Sequence, residues 1–207
     1  MKIIRNFVHY YRNVYNKYKY RKLNNHPCII SRDCIGGALY KDFNLEFTSP
    51  MINLEMSNKD FVLFCNHLNE YIESDVKEYK NSLYNYPVGI IDLKYGKILI
   101  HFAHYKSFNE AYECWNRRKK RIDYNNIYII MCVGPEASKK TINMFESIKY
   151  KNKILLSSNI DLSKHKDCFN MNCYNKGYRD SLIAHYNKYS FKRYLSEVDW
   201  VKFFNKE

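Results

Sequence analysis

Short runs rich in apolar residues alternate along this chain with segments whose apolar residues recur every three or four positions. The short runs, which are typical of strands buried on both faces, occupy residues 28–31, 51–55, 127–132 and 153–157. Helical spacing follows near residues 35, 57, 107 and 138. We therefore predict an α/β fold, a three-layer α/β/α domain in which these four runs are neighbouring strands of a mostly parallel central sheet.

Local signals mark the ends of several further elements. Apolar residues at 88–93 and 98–102 flank the turn residues 94–97, which include Gly96, and this pattern predicts one β-hairpin. Ser57 and Ser107 are each followed three residues later by an acidic residue. That spacing resembles the capping box, so it predicts a helix start at each serine.

The two ends of the chain differ from its middle. Residues 1–24 carry apolar positions at helical spacing with charges between them, which predicts a basic amphipathic helix. Residues 25–160 hold the strands and helices of the predicted α/β core domain. Residues 161–207 are less periodic. We expect them to form a C-terminal helical extension packed on the core, with short helices near 178–189 and 191–204.

Positive charge is concentrated in two clusters. The chain has 34 Lys and Arg against 21 Asp and Glu, a net charge of +13. Residues 2–22 hold seven of the cations and no acid, and residues 117–121 hold five in a row, so the remainder is almost neutral. Clustered charge indicates an anionic partner, which could be a membrane surface, a nucleic acid or a phosphorylated small molecule. No DNA- or RNA-binding motif accompanies the clusters, so a nucleic acid is the least favoured.

The N-terminal helix fits two interpretations. Its apolar face suits packing against the domain, which is the commoner use of such a face and the favoured interpretation. The same face and its cations also suit a peripheral contact of residues 2–22 with an anionic membrane.

The cysteines and the N-terminal segment indicate where in the cell the protein is located. The seven cysteines are odd in number, form no Cys-x-x-Cys pair and mostly lie in apolar runs, as in a reduced intracellular protein. Asn6, His9 and Arg12 interrupt the apolar segment that a signal peptide would need, and no run approaches the roughly 18 apolar residues of a membrane span. We expect a cytoplasmic protein that could lie at the inner face of the membrane.

Ligands of parallel sheets bind where the strands end, because the loops there open into a crevice. This rule selects residues 31–37, 53–57 and 133–136. The first of these segments forms a strand–turn–helix pattern whose backbone amides and helix dipole would attract an anion. From these segments we predict the substrate-binding residues Ser31, Arg32, Asp33, Gly36, Gly37 and Asn53.

Three residues are candidates for catalysis. Cys34 would be a nucleophile paired with His101 or His104, although a cysteine that only packs in the interior is the commoner outcome. Either histidine would serve as a general base. Three-residue spacing places the two histidines on opposite faces of a strand, and the pattern provides no third ligand, so we expect no metal and no cofactor.

The basic helix end supplies further candidates. Arginine forks at the end of the helix that follows His104 would bind a phosphate or carboxylate, whereas a solvated basic helix end is equally compatible with the pattern. The substrate-binding residues predicted in this region are Lys106, Trp115, Arg117, Arg118 and Arg121.

Several motifs together resemble a known family. They are Ile29-Ile30-Ser31-x-x-Cys34-x-Gly36-Gly37-x-x-Tyr40, Phe47-x-Ser49-Pro50, Tyr86-Pro87-Val88-Gly89, Ile100-His101-Phe102-x-His104-Tyr105-Lys106-Ser107 and Glu110-Ala111-x-x-x-Trp115-x-Arg117-Arg118-x-x-Arg121-Ile122. In order and spacing they are similar to the bacterial family called domain of unknown function nineteen-nineteen, over roughly residues 1–160. The resemblance implies a three-layer α/β fold and a link to surface-polysaccharide (exopolysaccharide or capsule) biosynthesis, but no established catalytic residues.

The chain departs from the family pattern in two places. Arg32, Asp33 and Ile35 stand where the family motif has Asn, Asn and Trp, and Glu136 follows the central strand where an Asp-containing loop is expected. If that Asp held a sugar or metal, Glu136 would have to replace it.

These observations support three hypotheses. The first is a transferase or hydrolase acting on an activated or lipid-linked sugar, with a sugar phosphate or nucleotide sugar as its anionic ligand. The second is a non-catalytic interaction protein of a glycan-assembly machine. The third, less favoured, is a nucleic-acid-binding protein.

Overall fold

The computed structural model describes residues 2–80, 83–134, 137–158, 161, 164–172, 182–187 and 189–205 as an α/β fold. The helices of this described part are α1 Lys2–Lys19, α2 Ile35–Phe43, α3 Asn58–Asn66, α4 Leu68–Glu73, α5 Phe108–Lys119, α6 Lys139–Glu146 and α7 Trp200–Asn205. The strands are β1 Cys28–Ser31, β2 Lys77–Glu78, β3 Val88–Leu93, β4 Gly96–His101, β5 Ile127–Cys132, β6 Lys153–Ser157 and β7 Cys168–Asn170.

Four parallel strands form the central sheet in the order β1-β5-β6-β7. Cys28 pairs with Ile127 across the first junction, and Ile130 pairs with Ile154 across the second. Every residue of β1 and β5 is buried, as expected for parallel strands covered on both faces. Three of the four strands that the apolar runs predict are therefore confirmed.

Alternate side chains of β5 enter two separate cores, which gives the three layers. Ile129 and Met131 face a core made with α3, α4, α5 and α6. Tyr128 and Ile130 face the opposite core, which α2, α7 and residues near the end of α1 cover. The predicted three-layer arrangement is confirmed.

The predicted hairpin is also confirmed, but it belongs to a second sheet. Strands β3 and β4 pair antiparallel, and the short strand β2 adds to β3. Gly96 begins β4 with a φ of 136°. Residues that carry a side chain rarely adopt this backbone conformation, so glycine suits this turn.

The predicted strand at residues 51–55 is wrong. The chain there bends through a left-handed residue, Asn53, with a φ of 62°. Met56 then donates a backbone hydrogen bond to Arg32, and Glu55 exchanges two with His101. The segment is apolar because it is buried while it connects the end of β1 to the end of β4, and not because it joins the parallel sheet.

The C-terminal region also differs from the prediction. Strand β7 extends the central sheet where no strand is predicted, and residues 182–187 form turns with an isolated bridge from His185 to Arg193. The predicted helix at 191–204 is reduced to a 3₁₀ turn, Tyr194–Glu197, and α7. Residues 178–181 and 188 of the other predicted helix lie outside the described residues.

Helix α1 is attached through polar side chains. Arg12 Nε donates to the carbonyl oxygen of Ser190 at 2.9 Å, and Lys19 Nζ donates to that of Ser196 at 3.1 Å. Asn16 Nδ2 donates to Asp42 Oδ1 on α2 at 3.1 Å. Among the described helices, none combines the length and the hydropathy that crossing a bilayer would require.

Candidate functional site

A cleft of about 460 Å³ opens where β1, β4 and β5 end. Its lining residues come from each of the three loop segments that the strand-end rule selects, together with the hairpin and the start of α6. They are Arg32, Glu55, Met56, Ser57, Asn58, Tyr86, His101, Cys132, Val133, Gly134, Ala137 and Thr141.

Arg32 holds the floor of this cleft together. Its Nε donates to the carbonyl oxygen of Cys132 at 2.8 Å, and its Nη1 donates to that of Met56 at 3.1 Å. Because the Cys132 carbonyl ends β5 and the Met56 carbonyl precedes α3, the guanidinium fixes both segments relative to β1. The side chain is 13 % exposed.

Two carboxylates offset the charge of Arg32. Asp33 Oδ2 lies 3.3 Å from Nη2, and Glu55 Oε1 lies 3.5 Å from Nη1. Burial raises the pKa of the Asp33 carboxyl, and the Arg32 guanidinium opposes that rise. Glu55 is about half exposed, at 53 %. The cleft is therefore polar but close to charge-balanced.

His101 forms one wall of the cleft at the end of β4. Its Nδ1 lies 3.5 Å from the hydroxyl of Tyr86, and the ring of Tyr84 meets it edge-on at 4.8 Å between centroids. Burial lowers the pKa of His101, while Glu55 and Asp60 act in the opposite direction. The imidazole is therefore neutral near pH 7 and presents one donor and one acceptor nitrogen.

Cys34 and His104 meet beside the cleft. His104 Nε2 lies 3.1 Å from Cys34 Sγ, although 70 positions separate the two residues in the chain. Cys34 is the N-cap residue of α2 and is partly exposed, and His104 is exposed. Neither lines the cleft, but Cys34 follows Arg32 by two residues, which places their Cα atoms at most about 7.6 Å apart.

The turn before α2 does not present free amides to a ligand in the way we expected. The Ile35 amide donates to Asp33 Oδ1 at 3.1 Å, and the Gly36 amide donates to Ser31 Oγ at 3.1 Å. Ser31, Gly36 and Gly37 are all buried. Ser31 Oγ instead accepts the Gly36 amide, Gly36 lets α2 pack closely on β1, and Gly37 faces Ile52.

The basic end of α5 lies away from the cleft. The helix begins beside His104 and runs for 12 residues, about 18 Å. Arg121, two residues beyond its C-terminal end, pairs with Glu46 Oε1 at 2.7 Å. Arg117 is exposed, and its Nη2 donates to Cys114 Sγ at 3.3 Å. Proximity to His104 in sequence thus does not bring these arginines to the histidine.

The remaining predicted binding residues, Trp115, Arg118, Asn53 and Lys106, do not line the cleft. Trp115 is 1 % exposed and lies in a core, which corrects its assignment as a ligand contact. Arg118 is buried, and its Nη1 donates to the Tyr105 hydroxyl at 2.6 Å. Asn53 is half-buried against Gly37, and Lys106 is exposed just before α5.

Comparison with known proteins identifies the family. Residues 6–205 match the family described as Domain of unknown function (DUF1919). The chain belongs to this family. It is also 30% identical, over 195 residues, to a Haemophilus influenzae protein named "Uncharacterized protein". That alignment covers 92% of this chain and 90% of the Haemophilus influenzae protein. The resemblance through residue 160 thus understates the family's extent, since the DUF1919 match includes the C-terminal region as well.

Sequence reasoning missed several cleft residues of this DUF1919 chain. Glu55 and Ser57 lie within a segment that the strand-end rule selects, yet the rule does not say which side chains face the cleft. Asn58 and Thr141 carried no chemical signal, because each lies in the first turn of a helix, and Tyr86 was noted only as part of a family motif. Glu136 lies outside the described residues. In the described part of the chain, no three His, Cys, Asp or Glu side chains cluster as metal ligands would.

Proposed function

We propose that this DUF1919 chain is an enzyme that transfers an acyl group to a sugar hydroxyl during surface-polysaccharide assembly. The observation that carries the proposal is the 3.1 Å approach of His104 Nε2 to Cys34 Sγ at the start of α2. A thiol beside an imidazole and the positive end of a helix is an arrangement that favours a nucleophilic thiolate.

The proposed reaction has two steps. His104 takes the thiol proton while Cys34 Sγ bonds to the carbonyl carbon of an acyl thioester or ester, and the donor's thiol or alcohol leaves with that proton. A sugar hydroxyl then attacks the thioester on Cys34, gives its proton to His104 and takes the acyl group, and the sulfur leaves and regains the proton. Water in place of the sugar would make the same site a hydrolase.

The adjacent cleft is proposed to hold the acceptor sugar. Its volume of about 460 Å³ suits one or two sugar rings, and Ser57, Tyr86 and Thr141 offer hydroxyl groups at its surface. Because Arg32 already pairs with Asp33 and Glu55, the cleft favours a neutral hydroxylated ring over a phosphate. If the ligand is a sugar phosphate or nucleotide sugar, we propose that its phosphate lies outside this cleft.

The test uses p-nitrophenyl acetate as the acyl donor, with mass spectrometry of the cysteine-containing peptides. We expect acetylation of Cys34 and release of nitrophenolate. Cys34→Ser or His104→Ala should lower that release at least about 100-fold, since each removes a reacting group. Addition of a neutral hexose should accelerate turnover and yield an acetylated sugar.

Cys114→Ser is the matched control. Cys114 is also partly exposed and also has a nitrogen partner, Arg117, but it lies inside α5 and not at a helix start. Its replacement should leave the rate unchanged. Equal acetylation of Cys34 and Cys114, with no effect of His104→Ala, would show that Cys34 is an ordinary packing residue. Acetylation of Cys34 without any effect of added sugars would support Cys34 as the nucleophile but contradict the proposal that a sugar hydroxyl is the acceptor.

A further inference from the structure

The apolar stripe of α1 faces outward. Phe7, Tyr10, Val14 and Tyr18 recur at helical spacing, and their exposed fractions are 60%, 64%, 49% and 65%. Tyr11 lies at the edge of this stripe, where it is 41% exposed and stacks on Phe191. We call Phe7, Tyr10, Val14 and Tyr18 the outer face of α1. It exposes more adjacent apolar side chain than a solvated helix face normally does.

The opposite side of α1 explains this orientation. Arg12, Asn16 and Lys19 lie there, and each makes a polar contact with α2 or with the C-terminal region. The helix is therefore held by its polar side chains while most of its aromatic residues remain outside. This corrects the favoured interpretation, in which the domain would cover the apolar face.

We propose that the outer face of α1 lies on an anionic lipid surface. Residues 2–22 hold seven cations and no acid. Of these, Lys17 and Arg21 are exposed near the stripe, and the Arg21 guanidinium lies 3.8 Å from the ring centre of Tyr18. Aromatic residues flanked by Lys and Arg are the composition of helices that lie in the headgroup region.

The positive charge of α1 also favours an anionic lipid surface over a second copy of the chain as the partner of the outer face. Two such helices placed face to face would bring two sets of cations together with no acid in either segment to neutralise them. An anionic leaflet instead attracts each nearby cation and accepts the aromatic rings at the same depth.

Vesicle flotation of the full chain tests the proposal. We compare vesicles of phosphatidylcholine with vesicles that also contain phosphatidylserine. The protein should float with the anionic vesicles, and raising the salt concentration should release it. Replacing Phe7, Tyr10 and Tyr18 together by Ser should lower the bound fraction at least about tenfold. The melting temperature should stay within a few degrees, because these side chains are largely solvent-exposed.

Two control variants separate this face from general surface effects. Tyr79→Ser with Leu83→Ser removes exposed apolar groups outside α1, and Lys139→Glu with Lys140→Glu reverses two exposed helical cations elsewhere. Both should bind like the wild type, whereas Lys17→Glu with Arg21→Glu should not. Equal flotation of the outer-face variant, equal binding to neutral vesicles, or self-association that the outer-face variant abolishes would overturn the proposal.

Discussion

Neighbouring residues of the same type have opposite environments in this chain. Arg117 and Arg118 are adjacent, but a helix rotates by about 100° per residue, so Arg117 faces solvent while Arg118 is buried against Tyr105. The sequence marks both as basic and cannot say which one is enclosed, because enclosure depends on what packs against α5. For the same reason it marks Trp115 as a ligand contact although a core encloses it.

The two adjacent glycines, Gly36 and Gly37, also differ in how closely other atoms approach them. A Cβ at Gly36 would lie 2.6 Å from Ser31 Oγ and 3.3 Å from Ile29 Cγ2, whereas one at Gly37 would approach Ile52 Cγ2 only to 3.4 Å. We expect Gly36→Ala to lower the free energy of unfolding by about 1–3 kcal/mol. Gly37→Ala should be neutral or raise it by up to about 1 kcal/mol, because alanine favours helix. Urea unfolding of both variants measures the difference, and equal effects would contradict it.

At the scale of elements, apolar pattern predicts burial more reliably than it predicts conformation. The runs at 28–31, 127–132 and 153–157 are strands because each has a parallel neighbour. The run at 51–55 is buried as well, but Asn53 turns the chain, and a backbone bridge to His101 replaces sheet pairing. Strand β7 gave no signal because it is only three residues long and half-exposed.

The candidate site, like the fold, could be predicted from the sequence only in part. Residues 55–57 line the cleft because backbone hydrogen bonds join Glu55 to His101 and Met56 to Arg32, and not because they follow a strand of the parallel sheet. For the segments after β1 and β5, the topology of parallel strands predicted a position at the cleft, since loops at one sheet edge must be neighbours. It could not determine that His104 rather than His101 reaches Cys34, because that depends on the bend of the chain after β4. Nor could it show that Asp33 and Ser31 occupy the turn amides.

Helix α7 supplies a test at this scale. Trp200 is 1% exposed in the core beneath α2, and its Nε1 donates to the carbonyl oxygen of Leu195 at 2.6 Å. Trp200→Ala should lower the free energy of unfolding by about 3–5 kcal/mol, because it leaves a cavity and an unpaired carbonyl. Phe191→Ala, at a position that is 40% exposed, should cost less than about 1 kcal/mol. Similar losses in urea unfolding would indicate that α7 adds little to the core.

At the scale of the whole molecule, the N-terminal helix and the C-terminal region are joined. Arg12 and Lys19 bond to backbone carbonyls of residues 190 and 196, and Arg193 pairs with Asp42 on α2. The C-terminal region therefore fixes the orientation of α1. A proposed acyltransferase whose outer helix lies on anionic lipid would thereby hold its cleft at a fixed position relative to a lipid-linked sugar.

This junction should make stability depend on pH. Burial, together with the nearby charges of Arg193, Arg12 and His9, lowers the pKa of His185 to about 4. Between the ordinary pKa of about 6.5 and that value, the unfolded chain binds a proton that the folded chain does not. Stability should therefore fall as pH drops from 6.5 to about 4, by on the order of 1 kcal/mol from this group once solvent screening is included.

The variant His185→Gln isolates this contribution. It has no group to protonate, so its free energy of unfolding should depend less steeply on pH over that interval. Urea unfolding at several pH values compares the two proteins, and parallel curves for the wild type and His185→Gln would show that the contact between α1 and the C-terminal region does not oppose protonation. A flatter curve would instead show that protonation of His185 weakens this junction, and the face of α1 proposed to bind vesicles should then lose its fixed orientation over the same pH interval.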